Sequence, residues 1–144
     1  MNLKIFKYNF FLKVSFYADL NCIASVMECV LDFLKGWNID VSDFKLNLIL
    51  REALNNAIIH GARLDKKKKI LFWLKKEKKR LYFFIRDPGA GFNFLSFGKK
   101  PEEFCPRGWG IYLIRHYSSG CRFFYPGNKF LFWVDLEESK KNRL

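Results

Sequence analysis

Four short runs dense in Phe, Leu, Ile and Trp constrain this chain most: "KKILFWLKK", "KRLYFFIRD", "CRFFYP" and "KFLFWVDLE". Each has the length and composition of a strand. The first two are joined by a charged turn at residues 75–79, and the last two meet at Pro126 and Gly127, a hairpin signal. Residues 3–17, rich in Phe, Val, Ile and Tyr, predict one long strand or two short ones. Between these runs lie segments of helical period. Apolar residues at 23, 26, 27, 30, 31 and 34 mark one helix, with Asp19 or Asn21 to cap its start and Gly36 to end it. Phe44, Leu46, Ile49, Leu50, Ala53, Leu54, Ala57 and Ile58 mark a second, capped by Ser42 or Asp43 and stopped at Gly61. Residues 93–106 read as loop, and "RGWGIYLIRHYSS" as a short helix opening on glycines. The order β-α-α-β-β-(loop)-α-β-β predicts α+β: a two-layer sandwich with helices on one face of a mostly antiparallel sheet.

Neither an internal repeat nor an interdomain linker is visible, so residues 1–144 read as one domain with its core at about 10–137. Half the residues are hydrophobic and 19% aromatic, which excludes a disordered chain. No apolar run approaches the ~20 residues of a membrane span, and the Lys-punctuated N-terminus does not resemble a signal peptide. The expectation is a cytoplasmic protein. Cys22, Cys29, Cys105 and Cys121 lack CxxC spacing and read as reduced packing thiols. The net charge is +12, and residues 63–80 hold ten Lys/Arg against two acids, or +8 of it. Such a strip suits nucleic acid or an acidic membrane surface, but a solvated hairpin with guarded edges is the favoured reading.

The second helix carries polar groups that packing alone does not want. In "LILREALNNAIIHGAR", Glu52, Asn56 and His60 follow one another at four-residue steps, a stripe beside the apolar one. Polar groups next to a core face solvent, each other or a ligand. A carboxylate can take a proton from an attacking hydroxyl. An Asn oxygen suits Mg²⁺, which takes few protein ligands alongside phosphates and water. In "RDPGAGF", Asp87 ends a strand and Gly89 and Gly91 permit close backbone approach. In "PRGWGIYLIRH", Gly108 and Gly110 sit at a helix start, where free N–H groups hold anions.

Together these three elements resemble the ATP-binding domain shared by gyrase, heat-shock chaperone ATPases, histidine kinases and mismatch-repair ATPases: the GHKL superfamily, with its Bergerat, or histidine kinase-like ATPase, fold. "REALNNAIIHGA" is most similar to the corresponding box of bacterial anti-sigma factor serine/threonine kinases. The resemblance implies ATP and Mg²⁺ as cofactors. It makes Glu52 the general base, Asn56 the Mg²⁺ ligand and Asp87 the acceptor for the adenine amino group. Gly89 and Gly91 would let the chain pass close to the base. Gly108 and Gly110 would hold phosphates, beneath a lid over residues 93–107 in which Lys99, Lys100 or Arg107 neutralises charge. His60 would cap the helix or serve structure alone.

Departures from the pattern are Asn55 where a small hydroxyl residue is usual, Pro106 ahead of Arg107, and Trp109 between the glycines. The implied function is phosphorylation of an anti-anti-sigma antagonist and sequestration of a sigma factor, in a family whose members commonly form homodimers. The alternative is a nucleotide-binding regulatory module of the same fold with little turnover. A nucleic-acid-binding protein using segment 63–80 is the least favoured reading, and no membrane partner is expected.

Overall fold

The alternation of the strand runs is realised in full in a computed structural model, which describes residues 3–40, 44–96, 100–102 and 109–136. The elements in order are β1 (Lys4–Tyr8), β2 (Phe11–Tyr17), α1 (Ile23–Gly36), α2 (Phe44–Asn56), β3 (Lys69–Glu77), β4 (Arg80–Arg86), α3 (Trp109–Tyr117), β5 (Gly120–Phe124) and β6 (Lys129–Asp135). The six strands form one sheet in the order β1-β2-β3-β4-β6-β5, and every neighbouring pair is antiparallel. The architecture is the expected α+β sandwich. Residues 3–17 make two strands rather than one, turning at Asn9 in a left-handed conformation. The charged turn is shorter than the five residues expected: β3 runs to Glu77, and Lys78 and Lys79 alone make the bend, with Lys78 at φ 54°.

Period-two sequence decides which face is buried. Leu12, Val14 and Phe16 of β2, Ile70, Phe72 and Leu74 of β3, and Leu81, Phe83 and Ile85 of β4 all point to the helices. Phe130 and Phe132 of β6 join them. Directly opposed in register, Phe83 and Phe132 stack with ring centroids 4.8 Å apart, and Phe72 lies 6.4 Å from Phe83. Onto this layer α1 sets Ile23, Val26, Met27, Val30 and Leu34, and α2 sets Leu46, Ile49, Leu50, Ala53 and Leu54. Phe44, counted above in the apolar stripe, is instead 75% exposed: it begins α2, ahead of the turn that meets the sheet.

Local signals behave as their chemistry requires. Asp19 accepts a hydrogen bond from the Asn21 amide at 2.9 Å and caps the short turn that leads into α1. Gly36 is the last residue of α1. The alternative caps at Ser42 and Asp43 lie outside the described residues. Cys22 is buried and Cys29 and Cys121 pack against the core; burial pushes all three thiols up, away from the reactive thiolate. Cys105 lies outside the described residues.

Phe83 is the keystone of the helix-facing layer, touching rings on two neighbouring strands. Phe83→Ala is expected to cost about 3–5 kcal/mol, the usual range for an aromatic emptied from a close-packed core. Equilibrium urea unfolding reads this directly; a loss below about 1 kcal/mol would contradict the packing described.

Candidate nucleotide site

The site is built along one edge of α2. Leu50, Ala53, Leu54 and Ala57 hold that helix on the sheet, which leaves Glu52 and Asn56 half-buried beside the core and His60 exposed. The regular α-helix ends at Asn56, not at Gly61 as the periodicity predicts. Residues Ala57–Gly61 form a wider π-type turn, closed by the Ala62 amide donating to the Ala57 carbonyl at 2.8 Å. Arg63 and Leu64 then take left-handed conformations, at φ 54° and 59°, which turn the chain toward β3. An extra residue in a helical turn is a local expense found often at functional sites.

Two contacts at opposite ends of this edge define the geometry. At the first, α3 packs across α2 by way of Gly110. A methyl group on Gly110 would stand 3.0 Å from Glu52 Oε2 and 3.2 and 3.3 Å from Asn56 Nδ2 and Oδ1. The start of α3 therefore passes directly over the carboxylate and the carboxamide. At the second, Asp87 lodges against Gly61. A Cβ at Gly61 would collide with Asp87 Cγ, well inside any tolerable contact. Gly89 closes the same corner, its hydrogen side facing the Gly61 carbonyl oxygen, 2.5 Å from where a Cβ would sit.

Asp87 is itself fixed from behind. Its amide donates to the Asn128 carbonyl at 3.0 Å, and Asn128 Nδ2 donates to the Asp87 carbonyl at 3.2 Å. Asp87 Oδ1 accepts the Gly89 amide at 2.7 Å. The loop after it is locked to the β5–β6 turn: the Phe92 amide donates to the Pro126 carbonyl at 3.0 Å, and Gly91, at φ 87°, lies where a Cβ would collide with that same oxygen. Gly91 thus meets protein backbone at its close approach. Phe92 and Phe94 pack on Phe123 of β5 with centroids at 5.1 and 5.6 Å, anchoring the entry to the segment assigned above as a lid.

Burial raises the Asp87 pKa above its ordinary value of 3.8, and the Gly89 amide opposes that rise. Lys100 is exposed. Lys99, Arg107 and Gly108, together with Pro106, lie outside the described residues. Trp109 begins α3 and meets Tyr112 edge-on, one turn further along, at 5.7 Å. A separate surface groove between β1 and the end of α1, lined by Lys7, Asp32, Phe33, Gly36 and Trp37, shares no residue with this edge.

The residue types fit a magnesium nucleotide. One carboxamide and one carboxylate, under a helix start brought close by Gly110, suit an ion that arrives with phosphates and keeps its waters. No group of three or more acids, His or Cys gathers into a metal cage among the described residues. Two residues contribute more than their sequence signals suggest. Gly61 reads as a helix stop but is also the seat of Asp87. Asn128 reads as part of a hairpin turn, and only the strand order β4-β6 reveals that it clamps Asp87.

Gly61→Ala must displace Asp87, because the colliding atoms belong to a side chain held at both ends. We expect a lowered Tm, with amide shifts at residues 87–89 in an NMR spectrum; unchanged shifts there would contradict the contact. Asp87 also predicts a pH signature. Its folded pKa is raised, so its contribution is most favourable below 3.8 and is lost as pH rises through the higher folded value. Asp87→Asn removes the ionisation, so the stability of the wild type relative to this variant should fall as pH rises across that window. A difference that is flat or rises over the same range would contradict it.

The pattern of the histidine kinase-like ATPase domain matches residues 16–129. That span runs from β2 to the first residue of β6 and takes in α2, the Asp87 turn and α3. A comparison with curated proteins returned no match. On its sheet topology, its site and this match over most of its length, the chain belongs to the histidine kinase-like ATPase family.

Proposed function

We propose that the chain is an ATP-dependent serine/threonine kinase of the anti-sigma factor type, which phosphorylates an anti-anti-sigma antagonist and sequesters a sigma factor. The observation that carries this reading is the passage of α3, at Gly110, over Glu52 and Asn56. A base and a magnesium-binding amide beside a helix start are what phosphoryl transfer asks of a protein: positioning and neutralised charge. The family match supports ATP as the nucleotide. The kinase assignment rests on the similarity of "REALNNAIIHGA" to the anti-sigma kinases and on Glu52 within it.

In this reading Asp87 accepts the adenine amino group, and Gly61 and Asn128 hold it in place. Asn56 would hold Mg²⁺ through its side-chain oxygen, and the ion would supply charge neutralisation at the phosphates. Glu52 takes the proton from the acceptor serine hydroxyl as its oxygen bonds to the γ-phosphorus. The bond from that phosphorus to the bridging oxygen breaks, and ADP leaves with the electron pair. Lys100, with Lys99 and Arg107, is assigned to the phosphates through its charge.

Glu52→Gln keeps the size and polarity of the side chain but removes the base. Transfer of labelled γ-phosphate to a purified antagonist should fall about 10²–10⁴-fold, while calorimetric ATP affinity stays within a few-fold of wild type. Equal transfer by both proteins would remove Glu52 from the role. ATP binding by the wild type without transfer to any antagonist would favour the regulatory module of the same fold.

A further inference from the structure

The face of the sheet turned away from the helices carries the other half of each alternating run. Trp73 and Phe84, directly opposed in register, stack there with centroids 4.9 Å apart and planes 18° from parallel. Leu131 lies beside Phe84, and Tyr82 pairs with Trp133. These side chains are partly exposed, and none of them belongs to the helix-facing core. Elements α1, α2 and α3 all pack on the opposite side.

Around this aromatic centre the charge is one-sided. The outward strand residues that are described include two acids, Glu77 and Asp135. Each is already engaged, Glu77 by Lys75 at 3.3 Å and Asp135 by Arg80. On the same face stand Lys4, Lys13, Lys69, Arg86, Arg122 and Lys129. Arg86 and Lys129 are directly opposed across β4 and β6. Like charges in that relation destabilise a sheet, and an anion set between them would reverse the sign. Cations also lie over rings: Arg80 over Trp133 at 5.7 Å and Arg122 over Phe124 at 5.1 Å.

We infer that this outer face binds single-stranded nucleic acid, with bases stacking on the Trp73–Phe84 centre and phosphates tracking the surrounding Lys and Arg. The chemistry is that of a stacking platform ringed by cations, which is tolerant of sequence because every base has a π-face. A second copy of this chain is a poor occupant, since it would bring the same uncompensated cations. An anionic bilayer offers charge but no planar partner for the stacked rings. The surface differs from the basic segment 63–80 as the sequence presents it: β3 divides that segment, burying Phe72 with the core and turning Trp73 outward.

The test is fluorescence anisotropy of the full chain with a labelled oligo-U of about 20 nucleotides, repeated across a salt series. Binding should weaken linearly in log–log form, with a slope of about 0.7 per phosphate engaged. Trp73→Leu keeps an apolar side chain but removes the aromatic stack and should weaken binding about tenfold. The triple charge reversal Lys13→Glu, Arg86→Glu and Arg122→Glu lies on exposed positions, so its fold should survive, as circular dichroism would verify, and binding should fall by at least about tenfold. Absence of wild-type binding would overturn the inference, as would affinity untouched by both variants. So would capture by phosphatidylglycerol vesicles in place of the oligonucleotide, or a dimer in sedimentation equilibrium that Trp73→Leu dissolves.

Discussion

The rest of the site depends on how closely α2 lets its neighbours approach. Two positions lacking a Cβ set that distance. Gly61 receives the Asp87 carboxyl at one end of the helix edge, and Gly110 brings the start of α3 onto Glu52 and Asn56 at the other. Any side chain at Gly61 would push the Asp87 turn outward, and one at Gly110 would press on both polar groups. Close packing turns three separate pieces of sequence into one surface, because interiors at crystal-like density transmit displacement rather than absorb it.

The sheet serves both faces from one alternating code. Inward residues such as Phe72, Phe83 and Phe132 hold α1 and α2 in place, which fixes the height at which Glu52 and Asn56 stand. Outward residues such as Trp73 and Phe84 do not contribute to that core and are available for a different task. The Asp87 turn joins the two layers: its backbone is tied to Asn128 in the β5–β6 turn at the sheet's end, while its side chain rests against Gly61 at the end of the helix. Nucleotide binding at the helix edge and any event on the outer face therefore share β4 as a common support.

Much of this was legible in the sequence. Alternation over β3, β4 and β6 predicts the sheet, and a 3.6-residue period predicts α1 and α2, because burial on one face is a local, repeating constraint. The pairing of Glu52 with Asn56 follows from helical spacing alone. Other features escape for physical reasons. The π-type turn at Ala57–Gly61 is held by backbone hydrogen bonds, from the Ala62 amide to the Ala57 carbonyl and from the Leu64 amide to the Ile58 carbonyl, and no residue type encodes it. The seat of Asp87 on Gly61 joins residues far apart in the chain, and the clamp from Asn128 depends on β6 lying beside β4. Phe44 has the right spacing for the apolar stripe but begins its helix too early to reach the core.

We propose that Glu52, Asn56, Asp87 and Gly110 line a single magnesium-nucleotide pocket. Its most direct test is a backbone NMR titration of the chain with Mg²⁺ and a non-hydrolysable ATP analogue. The account predicts that the largest amide shifts fall together at Asn56, Gly61, Asp87, Gly89 and Gly110, saturating with one affinity. Shifts confined to the outer sheet face or to the groove at Trp37, with those five amides unmoved, would contradict it.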